Sequence, residues 1–180
     1  MSQTALRFSQ FTAREEVLPH LRTELAECWM EVTNAGGAAG FPFPPVTACE
    51  VTSALDTLLD SLAPGTSRLI IAHLDGELAG WLAVRRDPWA LISHWGTLHH
   101  VQTRTTVRGL GVGAALVEEA RRIARDDMHL EQLHLAARGG AGLETFYAKL
   151  GWKEIGRWPG ALRLADGEDR DEILMLLAPL

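Results

Sequence analysis

The sequence predicts a single domain of the mixed α/β class, spanning residues 1–180. Three features lead to that class. Three glycines on alternate positions, in Arg108-Gly-Leu-Gly-Val-Gly-Ala114, open directly into an amphipathic helical stretch. Strand-like and helix-periodic runs alternate along the chain, the pattern of a sheet covered by helices. Asp75-Gly76 separates two apolar runs, and that dipeptide favours the type I′ turn of a β-hairpin.

In chain order, Ala5–Phe8 reads as a short first strand. Ala13–Thr33 reads as a helix, with Thr12 as its N-cap and Glu15 as the capping-box partner. Pro19 falls inside that stretch, so the helix either kinks there or starts late. A Gly/Pro/Phe loop fills Asn34–Pro45, and Val46–Leu62 is a second helix closed by Pro64-Gly65. Strands follow at Arg68–Leu74, Glu77–Arg86 and Leu98–Thr103. After the glycine loop, Val112, Leu116, Val117, Ala120, Ile123 and Ala124 recur at helical spacing and give one apolar face. Glu118 and Arg122 form a supporting pair on that helix. Gln132–Ala136 and Glu172–Leu177 read as strands, and there is no internal repeat or low-complexity tract.

Without Cβ atoms, the backbone of the glycine loop can lie close to a ligand. A helix beginning near Gly111 aims its free N–H groups and positive dipole end at the same place. The combination is an anion site, and the usual anion is a phosphate or pyrophosphate. A P-loop is excluded, because no lysine or hydroxyl residue follows Gly113. A nicotinamide-dinucleotide fingerprint fits poorly, since Gly109, Gly111 and Gly113 lie in mid-chain and lack the Gly-x-Gly-x-x-Gly spacing. The pattern Gln/Arg-x-x-Gly-x-Gly/Ala is met by Arg108, Gly111 and Gly113.

That loop resembles the pyrophosphate loop of the GNAT superfamily of acetyl-CoA-dependent N-acetyltransferases. Downstream, Leu143-Glu-Thr-Phe-Tyr-Ala-Lys-Leu-Gly-Trp152 is similar to the family's tyrosine-bearing helix and its exit into the sixth strand. The resemblance spans roughly Leu69 to the C-terminus. It implies the GNAT fold, a central mixed, mostly antiparallel sheet of about seven strands flanked by about four helices. The coenzyme A-binding core then falls at about 68–158, and acceptor-side helices and loop at about 13–64. More narrowly, Glu31-Val-Thr, Gly36-Gly-Ala-Ala-Gly-Phe41 and Gly156-Arg-Trp-Pro-Gly160 resemble the tabtoxin-resistance type, which acetylates an amine on a small toxin.

The resemblance implies acetyl-CoA as cofactor and direct acetyl transfer, in a ternary complex, to a primary amine of a small molecule such as a toxin or antibiotic. Val101, Gln102 and Thr103 are expected to offer backbone groups to the pantetheine arm. The loop amides of Arg108, Gly109, Leu110, Gly111, Val112, Gly113 and Ala114 are expected to bind the pyrophosphate. Tyr147, the only tyrosine in the chain, occupies the position of the family's tyrosine that faces the coenzyme sulfur, and would act there as the acid. The alternative is that Phe146 and Tyr147 are an aromatic pair packing one helix face.

Two positions depart from the family's pattern. Many members carry a glutamate on the fourth strand, eleven residues before the Arg108 position, where this chain has Thr97. Ala136 stands where tabtoxin-resistance-type relatives have an acidic residue. On a regular strand Thr97, His99 and Val101 share a face, so His99 is the candidate base, its imidazole titrating near about 6.5 when unperturbed. A slip of one residue would exchange it for His100. His94, His99 and His100 could equally be polar positions on a partly exposed strand. The missing carboxylates keep open a non-catalytic acyl-CoA-binding module, and a peptide or protein amine is an alternative acceptor.

On the acceptor side, Glu31 follows Glu27 by one helical turn and is the candidate partner for a substrate ammonium. A solvated surface charge is the alternative. Phe41, in Phe41-Pro-Phe43-Pro-Pro45, would wall the acceptor pocket, and Trp95 is the tryptophan nearest the site. The formal charge of −6 argues against nucleic acid as a partner and leaves room for a cationic acceptor. No apolar run reaches the roughly 18 residues that span a bilayer, so no membrane partner is expected. The N-terminus lacks the charged start and apolar stretch of a signal peptide. Cys28 and Cys49 have no metal-ligand spacing. A cytoplasmic protein without a metal is therefore expected, and the resemblance allows a homodimer.

Overall fold

The computed structural model describes residues 5–37 and 40–180. Ala38 and Ala39 of the glycine-rich loop, and the first four residues of the N-terminus read above, lie outside the described residues. The elements are β1 (Leu6–Phe11), α1 (Pro19–Asn34), α2 (Ala48–Asp60), β2 (Ser67–Leu74), β3 (Glu77–Arg86), β4 (Trp95–Thr103), α3 (Val112–Asp126), β5 (Gln132–Arg138), α4 (Leu143–Lys149), β6 (Lys153–Ala165) and β7 (Glu168–Leu177). Seven strands form one sheet in the order β1-β2-β3-β4-β5-β7-β6. Only β4 and β5 run parallel; the other neighbours are antiparallel. This is the mixed α/β, mostly antiparallel arrangement that the sequence implies.

Pro19 settles the start of α1. It occupies the first turn, where its missing N–H costs nothing and its fixed φ suits the helix, so the helix starts late instead of kinking. Glu16, and not Glu15, caps the preceding segment: its carboxylate accepts from the backbone N–H of Thr12 at 2.6 Å and of Ala13 at 3.1 Å. The second helix begins after Thr47, which forms a reciprocal capping box with Glu50. In the β2–β3 hairpin Asp75 and Gly76 have φ of 53° and 94°, as a type I′ turn requires. The last strand starts earlier than the apolar pattern suggests. Its polar first half is held to β6 by side-chain pairs such as Arg163–Asp169 at 2.8 Å.

Alternation along β2 and β3 divides the core into two layers. Leu69, Ile71, Trp81 and Ala83 pack under α1 and α2 with Leu25, Cys28, Trp29, Leu55 and Leu59. Ile70, Ala72, Leu82 and Val84 face the opposite way, onto the stripe of α3. All six apolar positions read on that helix are at most 2% exposed, and full burial of a leucine contributes about 1.5–3 kcal/mol. The charge pair differs from the sequence reading: Arg122 meets Glu119 at 2.8 Å instead of Glu118. No helix among the described residues is long and apolar enough to cross a membrane.

Candidate active site

The sheet opens between its two parallel strands. β4 pairs with β5 only through Trp95–Gln132, Gly96–Leu133 and Thr97–His134. Beyond that point β4 stays with β3 as far as Thr103, while β5 stays with β7 as far as Arg138. The backbones of the two strands therefore diverge, leaving a wedge at the centre of the sheet.

A bulge in β4 decides what faces that wedge. Trp81 pairs with Gln102 and Ala83 with His99, so His100 and Val101 together oppose the single residue Leu82. His100 takes up the extra residue with φ of 55°, and an inserted residue of this kind reverses the facing of all that follows. His99 consequently lies on the α1/α2 side. Val101 packs on the α3 side. The expectation that Thr97, His99 and Val101 share one face is thus corrected.

On the α3 side the wedge holds a cavity of about 690 Å³, within the usual range for a ligand site. Val101 and Thr103 of β4, Leu135 to Arg138 of β5, and Phe146 and Tyr147 of α4 form its walls. The glycine loop forms its end, through Arg108, Gly109, Gly111, Val112, Gly113 and Ala114. Gly109 and Gly111 have φ of 80° and 81°, in the left-handed region where glycine is favoured. Gly111 is the N-cap of α3 and supplies no capping side chain, so the first amides of the helix remain available to an anion. At Gly113 a Cβ would sit 3.2 Å from Thr103 Oγ1. Arg138 donates to the Gly36 carbonyl at 2.7 Å, tying β5 to the end of α1 across the opening.

Tyr147 is 6% exposed and is held edge-on between Phe146 and Trp152, at ring separations of 5.0 and 5.8 Å. Burial pushes its phenol above the ordinary value, so it stays protonated at neutral pH. A second cavity, of about 270 Å³, lies on the α1/α2 side. Trp29, Phe41, Ala83, Arg85, His99 and His100 are among its walls. His100 lines both cavities, its ring 4.7 Å from that of Trp29. Burial, helped by the charge of Arg85, lowers the pKa of His99, so its imidazole is neutral and able to accept a proton.

Several sequence-predicted residues are placed elsewhere. Glu31 is not open to a substrate ammonium. Its carboxylate pairs with Arg104 at 2.9 Å and accepts from the Thr105 backbone N–H at 2.8 Å and from the Thr105 hydroxyl. Burial opposes the charge, yet these hydrogen bonds outweigh it and hold the carboxyl below its ordinary range. Trp95 stands at the far end of β4, stacked on His134 at 4.5 Å, and lines neither cavity. Gln102 has its side chain fully buried, and Leu110 points outward at 66% exposure. Phe43 is also exposed, leaving Phe41 as the wall residue of that loop, 5.0 Å from Trp29. Arg85 and Arg138 were not signalled. Nor does any Asp or Glu line either cavity among the described residues, so neither presents a carboxylate to a cationic acceptor.

The acetyltransferase (GNAT) family model matches residues 21–152. The chain belongs to that family. As a GNAT protein it is an N-acetyltransferase, and acetyl-CoA is the cosubstrate of such enzymes. No curated protein is similar enough in sequence to match it. Solved GNAT structures share the fold. A GNAT acetyltransferase from Streptococcus pneumoniae superposes with a TM-score of 0.71 at 20% identity, covering 97% of this chain and 99% of that one. A ribosomal-protein-alanine N-acetyltransferase from Brucella melitensis gives 0.70 at 17% identity, with coverage of 97% and 99%. An aminoglycoside 6′-N-acetyltransferase solved with coenzyme A gives 0.69 at 15% identity, covering 96% of each chain.

Proposed function

We propose that this GNAT protein transfers the acetyl group of acetyl-CoA directly to a primary amine of a small molecule, within a ternary complex. The observation that carries the reading is a pair of cavities that share His100 in their walls, one fitted to the cosubstrate and the other smaller and walled in part by Trp29 and Phe41. The larger cavity fits coenzyme A on its own residues: an open helix N-terminus, two left-handed glycines with space above them, and unpaired strand edges for amide contacts. Coenzyme A in the aminoglycoside enzyme of the same fold supports the assignment. The likeness to the tabtoxin-resistance type supports a toxin or antibiotic amine as acceptor. Free Cys28 and Cys49 fit a reducing cytoplasm.

When bound, acetyl-CoA supplies an activated acyl group as a thioester. The loop amides from Arg108 to Ala114 would hold the pyrophosphate, and the β4 backbone at Val101 and Thr103 would orient the arm. An amine attacks only when neutral, so a base must remove its proton. His99 of the smaller cavity, or His100, which lines both, would take that proton. Tyr147, kept protonated by burial, returns one to the departing sulfur. No cysteine lines either cavity among the described residues, and the serines of the smaller one, Ser61 and Ser67, donate their hydroxyls to backbone carbonyls, which supports transfer without an acyl-enzyme. Initial-rate measurements test this: intersecting lines are expected, and parallel lines would contradict direct transfer. Thr97 and Ala136 favour one other reading, an acyl-CoA-binding module without turnover. It predicts tight coenzyme A binding and no acetylation of any amine offered.

A further inference from the structure

The polar groups of the smaller cavity are unevenly committed. Ser67 Oγ accepts from the Ala63 N–H at 2.8 Å and donates to the Ser61 carbonyl at 3.1 Å. Thr57 donates to the Ser53 carbonyl at 3.0 Å, and Ser61 to the Leu58 carbonyl at 2.6 Å. These hydroxyls serve the protein's own backbone. The neighbouring arginines are likewise engaged, Arg68 on the Pro64 and Ser67 carbonyls and Arg86 on the Gly65 and Met128 carbonyls. Arg85 differs. It lines the cavity from the exposed end of β3, and its guanidinium takes part in no hydrogen bond or ion pair among the described residues. With no Asp or Glu in the walls, its guanidinium gives this cavity a positive end.

The geometry points to an acceptor that carries a carboxylate as well as its amine, an α-amino acid or close analogue, with the carboxylate on Arg85 and the amine beside the histidines. This rests on reading the smaller cavity as the acceptor site. Guanidinium offers a planar fork of donors that matches a carboxylate and remains charged at any working pH. Ala83 pairs with His99 and Arg85 with Thr97, so Arg85 and His99 are diagonal neighbours on one face, about 7–8 Å apart. That is a separation of backbone positions, and the long Arg85 side chain can bring its charge toward the histidine, so that one small molecule can meet both groups. A volume of about 270 Å³ lies below the range of drug-sized sites, and Trp29, Phe41, Leu58 and Leu62 provide an apolar wall for its side chain. A polyamine or another dication would place positive charge against Arg85 with no carboxylate to offset it.

The test uses L-methionine, L-leucine and L-phenylalanine, each paired with its carboxamide, which keeps the amine and removes the negative charge. Turnover with acetyl-CoA and equilibrium binding, with and without coenzyme A, are measured for the wild type, Arg85→Gln and Arg85→Glu. At least one acid is expected to be favoured over its amide by about tenfold or more, as a charge-assisted pair would give. That preference should vanish in Arg85→Gln and reverse in Arg85→Glu, with coenzyme A affinity unchanged. Equal use of acid and amide by the wild type, or a preference that survives Arg85→Gln, would overturn the inference. If no probe is acetylated, binding decides it: acid binding lost in Arg85→Gln supports the carboxylate site, and absent or unaltered binding overturns it. Failure of coenzyme A to bind the wild type would count separately, against the acetyltransferase reading.

Discussion

Glu31 of α1 and Thr105 of the β4–α3 connection are joined twice, the carboxylate accepting from both the backbone N–H, at 2.8 Å, and the hydroxyl of Thr105. A helix on one side of the sheet thereby fixes the segment that leads into the glycine loop. Arg104 adds an ion pair to the same carboxylate at 2.9 Å. Glu31→Ala should therefore destabilise the fold by about 1–3 kcal/mol and weaken coenzyme A binding, with Glu31→Gln intermediate. Because the folded-state pKa of Glu31 is lowered, its contribution is present above the ordinary carboxylate range and lost as pH falls through the folded value. Melting curves of wild type and Glu31→Ala should converge in acid. A gap that persists unchanged at low pH would show that the charge is not the cause.

The glycine loop makes a second prediction. Gly113→Val places a branched side chain against Thr103 Oγ1, where even a Cβ would lie at 3.2 Å. Its affinity for coenzyme A should fall by at least tenfold. Gly111→Ala meets no neighbouring atom within 4 Å but must hold φ of 81°, at a cost of about 1 kcal/mol or more, so it should mainly lower stability. Unchanged coenzyme A affinity in Gly113→Val would remove the loop from the site.

Tyr147→Phe keeps the ring between Phe146 and Trp152 and deletes only the proton donor. A drop in kcat of about 100-fold or more is expected, with little change in Tm or in the KM for acetyl-CoA. A variant with near-normal kcat would leave the residue as a packing aromatic.

Acidification should slow the reaction. His99 has its pKa lowered by burial and by Arg85, so the acid limb of the kcat/KM profile should lie below the usual histidine value of about 6.5. Removing the charge in Arg85→Gln should move that limb upward. Comparing His99→Gln with His100→Gln identifies the base, since only the variant lacking it loses the limb. If neither variant does, a water chain is the acceptor of the proton.

The parts of this fold governed by local physics were legible in the sequence. The stripe of α3, the Asp75-Gly76 turn and the glycines at 109, 111 and 113 follow from side-chain spacing or from φ values that few residues tolerate. What the sequence concealed depends on partners far along the chain. Whether Glu31 faces solvent or meets Thr105, 74 residues away, cannot be read from helical periodicity. The bulge at His100 is a similar case. Strict alternation assumes an unbroken ladder, and one inserted residue sends Val101 and His99 to opposite sides. Arg85 carries no signal in its own segment, and only the lining of the smaller cavity gives it a role.

The three residue pairs that join β4 to β5 make the sheet a hinge-like joint between two better-laced panels. A ligand that lays its amide groups along the open edges would act as a splint across that joint. Amide hydrogen exchange should then slow at residues 98–103 and 135–138 on coenzyme A binding, while the interiors of both apolar layers stay as protected as before. The protein would be most rigid while it is loaded with its donor.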